Sequence, residues 1–326
     1  MTGWGSMNAP ALPDLVQEQS FRRLELTITR RLDGLLQGDH LGLVPGLGTE
    51  PADAREYQPG DDVRRIDWNL TARTAVPHVR DLVADRELTT WVLVDATASM
   101  DFGTGRVEKR DLAVAAVAAV GFLTDRIGNR LGAQILSATG LRRIPPEGGR
   151  THLLAVLRRL RTAPRTPPGA PATTSLSEAI ALLRRTARRR GLVVVVSDLL
   201  DGVDPDGPEP PWGRQLRLLQ HRHQVLAIEV VDPRELALPD VGLLTLVDPE
   251  TGRRRDVPTA SRRLRERYEQ AATAQRETVA RILRRAGVAH LRLRTDGDWV
   301  RDIARHVLSA RRLAGAAPAR QGRTPS

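Results

Sequence analysis

The stretch that decides the fold runs from Trp91 to Met100 and reads WVLVDATASM. Its first four residues are apolar without alternation, the pattern of a strand buried on both faces. The run then ends in one carboxylate and two hydroxyls, Asp95, Thr97 and Ser99, spaced two residues apart. A carboxylate closing such a strand adds nothing to packing, and an unpaired buried charge is strongly unfavourable. In an open α/β sheet that same place, the crevice beyond the carboxyl ends of the strands, is where ligands bind. Asp95 therefore marks a candidate site as well as a fold.

Outward from this stretch the apolar pattern alternates between short runs and helical spacing. Strands are expected near 90–95, 130–137, 141–144, 192–196, 224–231 and 288–293. Helices are expected near 107–126, 151–161, 175–190, 213–222, 259–286 and 299–311, with a hairpin over 242–257 turning at Pro249–Gly252. Such alternation predicts an α/β fold built on a doubly wound, mostly parallel sheet. Before it, apolar residues at helical spacing predict a helix over 15–36, and the glycine- and proline-rich 38–54 reads as irregular. The expected organisation is a disordered 1–13, a helix with a charged segment over 14–87, the sheet domain over 88–311, and a loose tail over 312–326.

Composition narrows the function. With 326 residues, 40% of them hydrophobic, the chain can bury a real core. The absence of cysteine excludes disulfides and thiolate metal sites and fits a reducing compartment. No secretory apolar segment and no membrane-length apolar run is present, so a soluble cytoplasmic protein is expected. The net charge of +11 raises nucleic acid as a partner. Against it, the cations are almost all arginine on helix faces and helix ends, Lys109 being the single lysine. Aromatics at 3% are also too few for base stacking.

A second buried strand, Leu192 to Val196, ends at Ser197 and Asp198. Thr174 precedes a helix whose start is marked by Ser175 and Glu178 at capping-box spacing. A doubly wound sheet would bring these three loops to one rim. Two carboxylates and three hydroxyls (Asp95, Asp198, Thr97, Ser99, Thr174) are hard oxygen donors suited to magnesium or manganese. Other chemistries fit less well. A haloacid-dehalogenase phosphotransferase needs a second acid where Thr97 stands, and a receiver domain needs a lysine after a later strand, which Lys109 is not. His221 and His223 lack a third ligand and read as a helix end at the surface. No nucleophile–base pair is evident, so no enzyme is expected.

Asp95-x-Thr97-x-Ser99 followed by Thr174 and Asp198 resembles the metal-ion-dependent adhesion site of von Willebrand factor A domains. Thr97 stands where that motif usually has serine and keeps the hydroxyl. REYQPGDDVRRIDWNLTAR, Arg55 to Arg73, resembles the signature of family 58 of the domains of unknown function, whose members join it to a von Willebrand A-like domain. The match continues through ADRE (84–87), Ser99-Met100, SDLLD (197–201), DPRE (232–235) and DPETG (248–252). Many members carry membrane helices before the signature; this chain resembles the short, soluble type. The resemblance implies a non-enzymatic interaction protein working with a MoxR-type AAA+ ATPase in assembly or activation of other proteins. The alternatives are a metal-dependent phosphohydrolase using the same acids, or a basic nucleic-acid binder. Within the signature, Gln58-Pro59-Gly60-Asp61 suits a type II turn. Arg64, Asp67 and Arg73 are expected to frame a buried Ile66 and Trp68, either as a structural knot or as a docking surface.

Overall fold

The computed structural model describes residues 18–36, 54–58, 63, 66, 68–80, 89–103, 107–126, 128–167, 169, 173–248 and 251–315. The chain opens with α1 (Glu18–Leu36), β1 (Ala54–Glu56), α2 (Trp68–Thr74) and β2 (His78–Arg80). The sheet region then runs β3 (Thr89–Asp95), α3 (Lys109–Arg126), β4 (Arg130–Ser137), β5 (Gly140–Glu147), α4 (Arg150–Arg161) and α5 (Leu176–Thr186). It continues with β6 (Gly191–Ser197), α6 (Pro211–Gln220), β7 (Gln224–Val231) and a small hairpin, β8 (Leu243–Val247) with β9 (Arg254–Pro258). Helix α7 (Arg262–Ala286), β10 (Ala289–Arg294) and α8 (Trp299–Gly315) complete it.

Six strands form one sheet in the order β10-β7-β6-β3-β4-β5. All neighbours are parallel except β4 and β5, which pair antiparallel across a short turn. The expected doubly wound, mostly parallel sheet is therefore the fold. Along β3, Val92 and Val94 face one core with α1, α3, α4 and α8, while Trp91 and Leu93 face another with α5, α6 and α7. Burial on both sides is why this strand lacks alternation. Helix α3 is apolar all round, and Leu112 to Val120 are buried at every position, as the central helix of a layer requires. It meets α4 so closely that a Cβ on Gly121 would lie 2.2 Å from Leu153 Cδ1. A larger residue there would force the Leu153 side chain to move.

Strand order reverses between β3 and β6, whose neighbours β4 and β7 lie on opposite sides. Such a reversal opens a crevice beyond the carboxyl ends of the two strands. Asp95 ends β3, and Asp198 follows β6.

Several expectations need correction. The strand foreseen over 141–144 extends over 140–147. The helix foreseen to 190 ends at Thr186, leaving Arg188 to Arg190 in the turn into β6. There Gly191 is forced by close approach, since a Cβ would sit 2.1 Å from the Thr89 carbonyl oxygen. Helix α8 continues to Gly315. Helix α1 is packed on the sheet domain, with Phe21, Leu24 and Ile28 in the same core as α3 and α8. The expectations for 1–13, the Gln58–Asp61 turn, Arg64 and Asp67 fall largely or wholly outside the described residues.

Trp68 is not buried. It is the first residue of α2 and stands 70% exposed, with Val63 and Val76 also exposed beside it in sequence. The segment anchors itself instead through Val79, 2% exposed, which bridges Ile66, and through the β1–β2 pairing. A seven-residue helix has two turns, and here the face carrying Trp68 is turned away from the protein.

Candidate metal centre at the strand switch point

The crevice at the switch point is a cleft of about 640 Å³. Asp95, Thr97, Ser99, Thr174 and Asp198 all line it, although Asp95 and Asp198 are a hundred residues apart in sequence. The remaining polar wall comes from Thr166, Thr173, Ser175, Glu178 and Asp201, and from Thr251 at the hairpin turn, with Ala98, Leu136, Ala138 and Leu176 supplying its apolar part. The three loops foreseen to converge do converge.

Each donor is held by identifiable bonds. Asp95 Oδ1 accepts from the Thr97 backbone N–H at 3.0 Å and from the Thr97 hydroxyl at 2.6 Å. Asp95 Oδ2 accepts from the Ser197 hydroxyl at 2.7 Å. Ser197 in turn accepts from the Leu199 N–H at 3.0 Å, so one hydroxyl ties the ends of β3 and β6 together. Leu199 is fully buried with φ of 57°, a left-handed conformation rare for a leucine, directly beyond Asp198. Thr174 is bracketed in sequence by two fixed neighbours: Thr173 donates to the Ala138 carbonyl, and Ser175 forms the foreseen capping box with Glu178. Arg110 holds the loop after β3 from below, donating to the carbonyls of Ala96 at 3.0 Å and Ala163 at 2.7 Å.

The electrostatics are uneven. Burial pushes the Asp95 carboxyl up from its ordinary value and nearby Asp198 adds to this, while hydrogen bonds from Thr97 and Ser197 offset only part. Burial would also raise Asp198. There the charge and hydrogen bond of Lys109, then Arg276 and the Ser99 hydroxyl, prevail and hold the carboxyl below the usual range. Lys109 Nζ lies 2.9 Å from Asp198 Oδ2 and also pairs with Glu235. Arg276 donates to the Asp198 carbonyl at 2.9 Å, to Glu235 at 2.8 Å and to Glu229 at 3.1 Å. Glu229 is completely buried and is further held by His290 and Arg292.

The donor chemistry fits a hard divalent cation. Thr97 and Ser99 place their protons on Asp95 and Asp198, which leaves hydroxyl lone pairs to face the cleft. Their oxygens lie 3.4 Å apart. Among the described residues no cation pairs with the buried Asp95 carboxylate, a state that a bound magnesium would relieve. No trio of histidine and acidic residues gathers around one point among the described residues. Any ion here would therefore rest on two carboxylates, hydroxyls and retained water.

Sequence reasoning located all five rim residues but missed the residues that hold them. In the sequence Ser197 is only the residue before Asp198, Lys109 stands in the wrong place for a receiver domain, Glu235 belongs to a motif, and nothing marks Arg276. The one available signal was Lys109 itself, the only lysine in an arginine-rich chain. His223 departs from expectation too: it is buried at 4% exposure while His221 is exposed, so the two do not form a pair.

Comparison with known proteins places this site in a family. The sequence matches the family described as "Protein of unknown function DUF58" over residues 53–278. The chain belongs to this family. That span contains the signature, all five rim residues, Lys109, Glu235 and Arg276. Among relatives of this DUF58 chain is an "uncharacterized protein" of Mycobacterium tuberculosis, 51% identical over 298 residues and covering 91% of each chain. A second, from Mycobacterium avium, is 45% identical over 175 residues, 53% of this chain and 98% of its own. Solved structures similar to it include BatB from Bacteroides thetaiotaomicron, with TM-score 0.41 and 15% identity over 69% of this chain and 99% of that one. The VWA domain of SpRpn10 gives TM-score 0.34 and 10% identity over 73% and 99%. No described helix of the DUF58 chain is long and apolar enough to cross a membrane.

Proposed function

We propose that this DUF58 chain is a non-enzymatic protein-interaction module whose rim holds magnesium or manganese and uses it to dock an acidic residue of a partner. One observation carries the reading: five oxygen-bearing residues from three separate loops line a single cleft at the strand switch point. Asp95, Thr97 and Ser99 would hold the ion, with Thr174 and Asp198 joining directly or through water. The ion would supply a positive charge for a partner's carboxylate, and that charge-assisted bond strengthens as the rim is desolvated. The partner that the family resemblance favours is a MoxR-type AAA+ ATPase.

The test is binding of such an ATPase, free of nucleotide, with magnesium and with excess chelator. Affinity should fall in chelator, and Ser99→Ala should reproduce the fall in the presence of magnesium. Equal affinity under all three conditions would move docking away from the rim, to the exposed Trp68 helix. Magnesium-dependent phosphoester turnover lost in Asp95→Ala would establish the hydrolase alternative. Nucleic-acid binding that weakens steeply with salt would establish the third.

A further inference from the structure

Of the 50 lysines and arginines in this chain, one is lysine. Lys109 is 0% exposed, begins α3, and places its ammonium against Asp198 Oδ2 at 2.9 Å. Its second partner is Glu235. Glu235 is shared in turn: its other oxygen accepts from Arg276 at 2.8 Å and from the Asp232 N–H at 3.2 Å. A compact ammonium with three donors here serves two acids within a closed volume.

We propose that Lys109 is a built-in competitor of the divalent ion for Asp198, so that the rim holds its ion weakly until a partner carboxylate arrives. The inference rests on the reading of the rim as a cation site and concerns how that site is regulated. Of the two rim carboxylates, Asp95 receives, among the described residues, only hydroxyl and N–H donors, whereas Asp198 already has a full positive charge on Oδ2 and the Leu200 N–H on Oδ1. An ion entering among Asp95, Thr97 and Ser99 therefore meets one uncompensated carboxylate instead of two. It also meets the repulsion of a fixed ammonium behind Asp198, poorly screened because no water surrounds it. A partner's carboxylate adds a negative charge on the open side of the cleft and offsets that field. Ion and partner then bind together, each tightening the other by the same factor. Lys109 also neutralises part of the negative charge of Asp198 and Glu235.

The experiment compares manganese binding by calorimetry in wild type and Lys109→Met, with melting temperatures in chelator and in saturating manganese. Methionine keeps the unbranched shape and most of the length of the side chain, one heavy atom shorter, and removes the charge. Lys109→Met should bind manganese at least about tenfold more tightly, as expected when a nearby like charge is removed from a poorly screened site. It should melt below wild type in chelator, because buried Asp198 loses the ammonium on its Oδ2 while half-buried Glu235 keeps Arg276, and manganese should recover most of the gap. Unchanged or weaker manganese affinity in a folded Lys109→Met protein overturns the proposal. Should that variant not fold, Glu235→Gln decides: it leaves the ammonium wholly to Asp198 and should weaken manganese binding several-fold, and no change overturns the proposal. If neither wild type nor a folded Lys109→Met binds manganese, the cation reading of the rim fails and this inference fails with it. If both bind equally, only the inference fails.

Discussion

Replacing Asp95 by asparagine separates a metal-holding carboxylate from one that merely anchors its loop. Asp95 is 6% exposed, and its neighbour across the cleft is the buried carboxylate Asp198. Taking an ion of this kind out of water costs several kcal/mol even after relaxation. Asparagine removes that cost and keeps Oδ1 as acceptor for Thr97. It disturbs one bond, because the amide NH₂ now faces the Ser197 hydroxyl, which must accept where it used to donate. That loss is about 1 kcal/mol. In chelator at neutral pH, Asp95→Asn should therefore be more stable than wild type by about 2 kcal/mol, the net of a several-kcal/mol gain and the weakened bond. For a protein of this size the corresponding rise in Tm is about 3 °C. Magnesium should raise the melting temperature of wild type and leave the variant unmoved, which scanning calorimetry in chelator and in magnesium measures directly. A variant that melts below wild type in chelator would refute the reasoning, because the carboxylate would then be a structural anchor that the fold requires ionised.

Trp68→Ala should cost no more than about 1 kcal/mol, since the indole is 70% exposed, against about 3–5 kcal/mol for a seated tryptophan; a urea-midpoint loss of the larger size would put the indole back in a core. In the Asp95→Asn background, where no raised Asp95 carboxyl is left to be relieved by protonation, acid should weaken the fold from near neutrality, because burial holds His223 and His306 below the usual histidine value of 6.5. Their folded pKa values are depressed, so the unfolded chain takes up protons first as pH falls through about 6.5, and stability declines by up to about 1.4 kcal/mol per pH unit per group. Denaturant midpoints at pH 7.5 and 5 test this, and His223→Gln should reduce the difference; an unchanged difference would remove His223 from the account.

The sequence by itself determined the layer architecture and the identity of the rim. Short β-branched apolar runs without alternation, such as Val92 to Val94 and Leu192 to Val196, suit strands covered on both faces, whereas the longer alanine-rich run of α3 suits a buried helix. A hydroxyl- and carboxylate-bearing loop directly after such strands has few places to go except the crevice at their ends. Local rules of this kind act over a few residues, so they are legible in one dimension. Tertiary structure alone decided what surrounds the rim. Lys109, Glu235 and Arg276 come from three elements spread over 168 positions, and no periodicity links them. Their pairing follows from α3 and α7 lying on opposite faces of the sheet, with both reaching its carboxyl edge. Trp68 shows the same limit from the other side. An indole amid charges reads as a buried anchor, yet whether a short helix turns it inward depends on what packs above it. That is a property of the assembled surface, which neighbouring residues in sequence do not encode.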